Sequence, residues 1–272
     1  MCGRYTQTHT HKEIMERFDL DALFMDLDPR YNISPTQTVP IILERDTDDN
    51  KTARVLDSSS WGLIPGFVKD PRLLKPMINA RAETLMEKRM FKGAFLSRRC
   101  LIPADGFYEW LTENKKKQPV RFQINNGELF AFAGIYEEGK DLEGNPRRTC
   151  SIITVAANET VSPVHDRMPA ILKIDDEKRW IDHSLNDPKE LMEMLNPCDN
   201  AIIDWYRCST VVNSSRSDSK NCILRAGTPE ALAAEEAQKL AAAEAKANKA
   251  SKGKAKKDSA DEGVQLIMHL PN

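Results

Sequence analysis

Val120–Tyr136, VRFQINNGELFAFAGIY, is the stretch of sequence that bears most directly on the fold. Two apolar runs rich in β-forming residues, Val120–Ile124 and Leu129–Tyr136, are separated by the turn Asn125-Asn126-Gly127. Asn-Gly between two such runs is a strong local signal for a β-hairpin, because both residues tolerate a positive φ. We therefore predict that these two runs are adjacent strands of an antiparallel sheet.

Runs of the same kind recur on both sides of this stretch. The predicted strands are Thr38–Leu43, Val120–Ile124, Leu129–Tyr136, Cys150–Val155 and Ser209–Val212. Helical periodicity predicts helices over His11–Phe18, Ala82–Phe91, Asp175–Ile181 (capped by Asp175) and Pro188–Leu195. Many strands and few helices indicate an α+β fold. We expect a single domain with a mainly antiparallel, barrel-like β core and a few peripheral helices.

The last part of the chain differs in composition from the rest. No aromatic residue follows Tyr206, and residues 228–272 contain a long alanine-rich stretch and the lysine cluster Lys252–Lys257. A helix without an apolar stripe has little to pack on. We therefore predict a folded domain over residues 1–226 and a tail over residues 227–272 that is partly helical or disordered. The lysine cluster is either a weak nuclear-import signal or a solvated run.

Composition argues against several classes of protein. The net charge is −2, so binding to phosphate would require a local basic groove. No apolar stretch approaches the ~18 residues of a membrane span. The start of the chain lacks the apolar core of a secretory signal, which leads us to expect an intracellular protein, nuclear or cytoplasmic. The six cysteines form no Cys-x-x-Cys pair, so no metal and no cofactor are predicted.

Cys2, in Met1-Cys2-Gly3-Arg4-Tyr5, is a candidate reactive residue because of its position. Removal of Met1 would leave a thiol and a free α-amine on adjacent carbons, and both groups are partly deprotonated near neutral pH. The amine of such a 1,2-aminothiol condenses with an aldehyde to an imine, and the thiol then closes a thiazolidine ring. The alternative is an incidental cysteine in a frayed terminus.

Several polar residues inside apolar, turn-bounded segments are further candidates. Glu109 lies between Tyr108 and Trp110, where burial would raise its pKa and suit it to proton transfer. The alternative for Glu109 is a structural ion pair. His165 is either catalytic or structural, and Asn79 either orients an amine or thiol or caps a turn. Arg4, Arg81 and Arg167 either bind phosphate or pair with acidic neighbours.

Taken in order, these segments resemble the successive motifs of the SOS response-associated peptidase (SRAP) family. The segments that carry the resemblance are Cys2–Arg4, Tyr31–Pro35, Trp61–Pro65, Asn79–Arg81, Ala104–Trp110, Ile152–Val155, His165–Pro169 and Val212–Asn213 followed by Asn221. The resemblance covers about residues 2–225 and excludes the tail.

The resemblance implies an enzyme of the DNA damage response that shields abasic sites in single-stranded DNA. After Met1 is removed, Cys2 would form a covalent thiazolidine with the sugar aldehyde. Asn79 would position its amine and thiol, Glu109 would handle protons, and His165 would assist ring opening and imine chemistry. The family is also assigned autoproteolytic removal of the residue before the cysteine, and cleavage of abasic DNA as a lyase.

The same resemblance implies the DNA contacts. The arginines that would hold phosphates are Arg4, Arg81, Arg89 and Arg167. Thr154 would supply a smaller polar contact, and Pro35 and Phe67 would wedge against flanking bases. Many relatives have two adjacent aromatic residues where this chain has Phe67-Val68, so one stacking surface is missing. The expected partner is single-stranded DNA with abasic sites, bound by a monomer, and the replication machinery is a candidate partner.

Two other functions remain open at the level of sequence. Cys2 could be the nucleophile of a peptidase that acts on other proteins, with Glu109 or His165 as the base. The chain could also be a non-catalytic reader of modified DNA, which would bind reversibly and leave no adduct.

Overall fold

The structure is a computed structural model that describes residues 2–47 and 51–246. The strands are β1 (Tyr5–Gln7), β2 (Ala22–Leu23), β3 (Arg30–Ile33), β4 (Thr38–Asp46), β5 (Thr52–Trp61), β6 (Asn79–Arg81), β7 (Arg99–Ala104), β8 (Gly106–Glu113), β9 (Lys116–Ile124), β10 (Phe130–Lys140), β11 (Pro146–Ala156), β12 (Arg167–Pro169) and β13 (Ile203–Arg207). The helices are α1 (His11–Phe18), α2 (Arg89–Ser97), α3 (Ile174–Ile181), α4 (Pro188–Glu193) and α5 (229–246, where the described part of the chain ends).

Five strands form a closed barrel. They follow the order β11-β10-β7-β4-β5, and a parallel pairing between β5 and β11 closes the ring. The other neighbours in the ring are antiparallel. The short strand β6 pairs in parallel with β11, and β12 pairs with β11 in the antiparallel sense. The predicted α+β class, with a mainly antiparallel, barrel-like core, is confirmed.

A second sheet, in the order β13-β9-β8-β1-β3, places the start of the chain in its interior. The strand β1 lies between β8 and β3 and is antiparallel to both. Strands β8 and β9 form a hairpin around Asn114 and Lys115, which both have positive φ, at 49° and 63°. This is the two-residue hairpin that the sequence analysis did not identify.

The predicted hairpin at Asn126-Gly127 is wrong, although the turn itself forms. Asn125, Asn126 and Gly127 all have positive φ, and the Glu128 amide donates to the Ile124 carbonyl at 3.0 Å. However, β9 pairs with β8 and β13 in one sheet, whereas β10 pairs with β7 and β11 in the barrel. The turn therefore connects two sheets. Turn chemistry is local, and it does not decide which strands become neighbours.

The other predicted strands have mixed outcomes. Thr38–Leu43, Val120–Ile124 and Cys150–Val155 lie within longer strands, and Leu129–Tyr136 begins one residue before β10. The strand predicted over Ser209–Val212 is wrong, because Thr210–Asn213 is a 3₁₀ turn. Its first turn is capped by the Ser209 hydroxyl, which accepts from the Val211 amide.

The predicted helices are largely confirmed. The helix over His11–Phe18 has the predicted bounds, and Thr10 and Glu13 close its first turn as a capping box. Pro188 begins α4, and α3 begins one residue before Asp175 without a side-chain cap, so the predicted cap is wrong. The helix predicted over Ala82–Phe91 is wrong in extent, because a 3₁₀ turn precedes α2, which begins only at Arg89. None of the helices in the described residues is long and apolar enough to cross a membrane.

Aromatic side chains connect the start of the chain to the barrel. The ring of Tyr5 on β1 makes edge contacts with Trp61 and Phe132, with centroids 5.3 Å and 5.7 Å apart. Phe107 on β8 stacks on Phe122 of β9 at 4.9 Å. Such rings supply much of the buried apolar area of a core. The two sheets therefore share one core, and β1 is part of it.

The carboxylate of Asp105 fixes β1 from its polar side. Asp105 is fully buried, and its oxygens accept hydrogen bonds from the hydroxyl of Thr6, from the amide and hydroxyl of Thr8, and from the guanidinium of Arg121 at 2.8 Å. Arg121 is itself 5% exposed. A buried ion pair of this kind is specific because each charge depends on the other. The N-terminal strand is therefore held in place by side chains as well as by its ladder.

The tail packs more closely on the domain than its composition predicted. In α5, Ala231 is fully buried and Ala234 packs on the small cluster of Tyr108, Cys208, Val211, Val212 and Cys222. Small residues on one face give close contact without an apolar stripe, so the expectation that this helix has little to pack on is wrong. The division at residue 227 stays a prediction, and Lys252–Lys257 lie outside the described residues.

We expect Asp105→Asn to lower the free energy of unfolding by about 3–5 kcal/mol, because it leaves the buried Arg121 charge uncompensated. Urea denaturation followed by tryptophan fluorescence measures this change. Asp28→Asn, in an exposed loop, is the matched control and should change stability by less than about 0.5 kcal/mol. If Asp105→Asn behaved like the control, the ion pair would not fix β1.

Candidate active site

Cys2 is buried and lies beside Glu109 because of the pairing between β1 and β8. Tyr5 pairs with Phe107 and Thr6 with Gly106, and continuing this register places Gly3 opposite Glu109. The Cys2 thiol donates to the Arg4 carbonyl, with the sulfur 3.7 Å from the oxygen. Burial, followed by the charge of Glu109, raises the pKa of the Cys2 thiol well above its ordinary value. The thiol is therefore protonated at neutral pH and needs a base to react.

Asn79 contacts the backbone of Cys2 directly. It is the first residue of β6, where it pairs with Ile152 of β11. Its side-chain amide donates to the Cys2 carbonyl at 2.9 Å. The other end of the same amide, Oδ1, is buried and has no hydrogen-bond partner among the described residues. Asn79 thus fixes Cys2 through its donor and keeps an acceptor for a further group, and it does not act as a turn cap.

Glu109 lies within electrostatic reach of His165. Glu109 is 6% exposed, and burial raises the pKa of its carboxyl, while a charge on His165 acts in the opposite direction. His165 lies between β11 and β12. Its Nδ1 is 3.0 Å from the Arg167 amide, which donates to it, and 2.8 Å from the Asp166 carboxylate. These two contacts fix the orientation of the imidazole within the loop.

Arg4 is half-buried at the edge of this group. Its guanidinium donates to the Asn32 side chain at 2.8 Å and to the Val212 carbonyl at 3.1 Å, and it lies 5.9 Å from the centre of the Trp110 ring. Arg4 is therefore aligned from three sides. The phosphate contact predicted for Arg4 would use the N–H groups of the guanidinium that these two hydrogen bonds leave over.

The helix α5 holds the turn that binds Arg4. Gln238 donates to the Val211 carbonyl at 3.1 Å, next to the carbonyl that Arg4 uses, and Glu235 accepts from the Thr210 amide at 2.8 Å. Sequence reasoning missed this support. Its signal was the spacing of Ala231, Ala234, Glu235 and Gln238, which places four small or polar residues on one face of a helix.

Three of the residues predicted to contact DNA lie at the surface. Phe67 is 60% exposed, and the guanidinium of Arg89 lies 5.1 Å from the centre of its ring. Arg81, at the end of β6, is exposed. A fourth, Pro35, is partly exposed and begins a turn in which Thr36 has φ 70°. A β-branched residue rarely adopts that conformation, so this turn is strained.

Arg167 and Thr154 are engaged with protein groups. Arg167 makes a bidentate ion pair with Glu83, at 2.6 Å and 3.0 Å, and also donates to the Thr154 carbonyl and hydroxyl. Thr154 is fully buried. A direct contact between Thr154 and DNA would need the side chain to be uncovered, and a phosphate at Arg167 would compete with Glu83. Of the two roles that the sequence left open for Arg167, the structure shows the pairing with an acidic residue, although the sequence did not identify Glu83 as the partner.

The structure therefore brings Cys2, Asn79, Glu109 and His165 together, with Arg4 beside them. Strands from both sheets contribute, because β1 and β8 belong to the second sheet whereas β6 pairs with β11 of the barrel. The described residues contain no group of three or more His, Cys, Asp and Glu side chains that could hold a metal ion. The arrangement supplies a thiol, a carboxyl with a raised pKa, an imidazole and an amide, which suits acid–base and nucleophilic chemistry at the N-terminus.

We expect Glu109→Gln to increase the alkylation rate of the Cys2 thiol at pH 8. The charge of Glu109 raises the thiol pKa, so its removal lowers that pKa and increases the thiolate fraction. Iodoacetamide labelling quantified on the N-terminal peptide measures this rate. Glu113→Gln, on the exposed end of the same strand, is the control and should leave the rate unchanged. A slower reaction in Glu109→Gln would contradict the assigned electrostatics.

Comparison with known proteins gives consistent results. The chain is 41% identical over 226 residues to the abasic site processing protein YoqW of Bacillus subtilis, and the match covers 82% of this chain and 99% of that protein. It is 34% identical over 240 residues to the abasic site processing protein HMCES of Gallus gallus, covering 78% of this chain and 71% of that one.

A solved structure and a family model complete the comparison. The fold resembles the crystal structure of a protein from Bacteroides thetaiotaomicron, with a TM-score of 0.73 and 26% identity over 83% of this chain and all of that one. The family model described as SOS response associated peptidase (SRAP) matches residues 1–215. The matched region contains all four residues of the candidate site, and we conclude that this chain belongs to the SRAP family.

Proposed function

We propose that this protein senses abasic sites in single-stranded DNA and captures them covalently through Cys2. The observation that carries the proposal is the position of Cys2: its carbonyl is held by Asn79, and its buried thiol lies within reach of the charge of Glu109. The names of the relatives, abasic site processing proteins, support the same substrate. An open abasic sugar carries an aldehyde, which is the electrophile that a 1,2-aminothiol requires.

The first step is hydrolysis of the Met1–Cys2 peptide bond. Water is consumed, methionine leaves, and Cys2 gains a free α-amine. Only that amine can form the imine, so the enzyme must process itself or be processed before it can capture DNA. Glu109 is the residue best placed to accept and return the protons of this step, because its carboxyl has a raised pKa and lies beside the start of β1.

Capture then proceeds through an imine. His165 assists opening of the sugar ring, in which the bond between the ring oxygen and the anomeric carbon breaks, the ring oxygen gains a proton and the anomeric hydroxyl loses one. The Cys2 amine then attacks the aldehyde carbon, and one of its protons moves to the carbonyl oxygen to give a hydroxyl. Glu109 in its protonated form gives the proton with which the hydroxyl leaves as water. The imine formed in this way keeps one proton on its nitrogen. The Glu109 carboxylate accepts the thiol proton as sulfur adds to the imine carbon, and the nitrogen becomes the neutral N–H of the ring. One water is lost overall, and the ring that forms contains the nitrogen and sulfur of Cys2.

The same imine would also permit the lyase activity that the family resemblance implies. If a base removes the proton from the sugar carbon next to the imine before sulfur adds, the 3′ phosphate leaves and the strand breaks. Glu109 and His165 are the candidate bases. Burial of the thiol beside the imine favours ring closure, because the sulfur is held close to the carbon that it attacks.

Surface residues near the site fit a single strand. The exposed Phe67 and the Arg89 above it offer a ring for a base and a cation for a phosphate, and Pro35 presents a second apolar surface. Arg4 and Arg81 supply further positive charge. The pairing of Arg167 with Glu83 suggests a less direct role, in which Arg167 orients the His165 loop. A covalent bond also reduces the electrostatic affinity needed from a chain of net charge −2.

The peptidase alternative is less well supported. A cysteine peptidase that acts on other proteins needs an accessible thiolate, whereas the Cys2 thiol is buried and has a raised pKa. The non-catalytic reader would not need a base beside Cys2. Both remain outcomes of the experiments below.

Incubation of the purified protein with single-stranded DNA that contains an abasic site should give an adduct that survives heat and denaturing electrophoresis. Cys2→Ala should abolish it, whereas Cys198→Ala, at a half-buried cysteine remote in sequence from the site, should not. Equal adduct formation by Cys2→Ala would refute the thiazolidine mechanism. Reversible binding by the wild type without an adduct would instead indicate a reader.

We expect Glu109→Gln to slow adduct formation about 10²–10⁴-fold, the usual loss when a general acid–base group is removed. The measurement uses protein whose Met1 has been removed beforehand, confirmed by mass spectrometry, so that self-processing does not limit the rate. The same substitution should make the thiol more reactive toward iodoacetamide. Loss of structure would also expose the buried thiol and accelerate its alkylation, so a Tm equal to that of the wild type is required before the opposite effects on the two rates are assigned to proton transfer.

A further inference from the structure

Arg147, at the start of β11, has a guanidinium that bonds to none of the residues that the structure describes. All three of its nitrogens are buried, and none has a hydrogen-bond partner among the described residues. A guanidinium carries five N–H donors and is always charged. Leaving buried donors unsatisfied is unfavourable, so such a group in a native protein calls for an explanation such as a missing ligand.

A cleft of about 510 Å³ adjoins this side chain. Besides Arg147, hydroxyl groups of β4 and β5 line it: Thr38 pairs with Ser60 across the two strands, and Ser58 lies two residues earlier on the same face. No hydrogen bond joins these three hydroxyls to another described residue. The Arg147 Nη2 lies 3.1 Å from where a Cβ on Gly139 would stand, so only glycine at that position lets the guanidinium lie so close to the strand.

The other charged groups of the cleft are already engaged. Arg148 binds Asp57 at 2.5 Å and Glu138 at 2.8 Å. Asp141 accepts from the amide and the side chain of Asn145, at 2.8 Å and 3.0 Å. The donors of Arg147 and the hydroxyls beside it are therefore the groups that remain for a ligand rich in acceptors, such as a phosphate.

The cleft lies next to two segments proposed to contact DNA. Gly66, which precedes Phe67, packs against the backbone of Glu138 at the cleft wall. On the other side, the amide of Thr36, which follows Pro35, donates to the Trp61 carbonyl at 2.8 Å, beside Ser60. A single strand of DNA that contacts both Pro35 and Phe67 would pass the mouth of the cleft.

We propose that this cleft binds a backbone phosphate of the captured single strand, with Arg147 as its main donor and Ser58 and Ser60 as additional donors. This inference rests on the proposed function. The path of the bound DNA strand would then continue along the barrel. Because the nitrogens of Arg147 are covered in the free protein, the side chain turns into the cleft when the phosphate arrives. The hydrogen bonds form only in the complex, so the site adds affinity for DNA without stabilising the free protein.

The test measures binding of an undamaged single-stranded oligonucleotide by fluorescence anisotropy over a salt series. Arg147→Met keeps an unbranched stem and removes the donors. We expect about tenfold weaker binding, and a slope of log K against log [salt] that is smaller in magnitude by about 0.7, the contribution of one phosphate of a single strand. Arg207→Met, on the second sheet and paired with Glu113, is the control and should change neither quantity.

The outcomes separate this inference from the function on which it rests. Adduct formation by the wild type with abasic DNA tests the proposed function. If the wild type forms the adduct while Arg147→Met keeps the wild-type affinity and slope, the phosphate site is wrong and the function stands. Thermal unfolding should give Arg147→Met a Tm equal to or above that of the wild type.

A second variant and a second ligand complete the design. Arg147→Lys keeps the charge but lacks the planar fork, so it should bind DNA more weakly than the wild type with an unchanged salt slope. This result would support the site even if Arg147→Met folded poorly. If inorganic phosphate raised the Tm of the wild type while the DNA-binding slope did not depend on Arg147, the cleft would bind a free anion and the DNA assignment would be overturned.

Discussion

The buried carboxylate of Asp105 is the constraint on which the rest of the structure depends. The first residues of a chain usually fray unless something holds them, yet here residue 2 lies inside the site. Asp105 holds the strand that follows, through Thr6, Thr8 and Arg121. The ladder between β1 and β8 then fixes the distance from the start of the chain to Glu109. Chemistry at the N-terminus therefore depends on a side chain that takes no part in it.

The sequence predicted the architecture better than the connections between strands. The alternation of apolar runs and turns was enough to predict a mainly antiparallel core, because it reports which residues are buried. Asn126-Gly127 forms its expected turn but joins two sheets, since β9 and β10 each find other partners. Pairing is decided by the whole fold, and a local signal cannot report it. The hairpin at Asn114-Lys115 has a weaker signal because neither residue is glycine.

The candidate site shows the same division. Cys2, Asn79, Glu109 and His165 were found from the order of motifs, and the structure brings them together although they come from both sheets. Pairing of Arg167 with an acidic residue was left open from the sequence but Glu83 was not identified, and the support of the Arg4 turn by α5 was missed. Both depend on residues that become neighbours only in the fold, and the docking face of α5 consists of alanines and polar residues that no hydrophobic pattern reveals.

The raised pKa values of the Cys2 thiol and the Glu109 carboxyl affect which electrophiles the site reacts with. Burial raises the pKa of both the Cys2 thiol and the Glu109 carboxyl, so each favours the protonated form more than it would in water. A protonated thiol reacts slowly with oxidants and soft electrophiles, which protects Cys2 from them. Under the proposed function, thiazolidine formation avoids this obstacle because the amine reacts first and the imine brings its carbon to the sulfur. Once Glu109 has given its proton, its carboxylate lies beside the Cys2 thiol and can accept the thiol proton. The site would thus release its nucleophile only when an aldehyde has already bound.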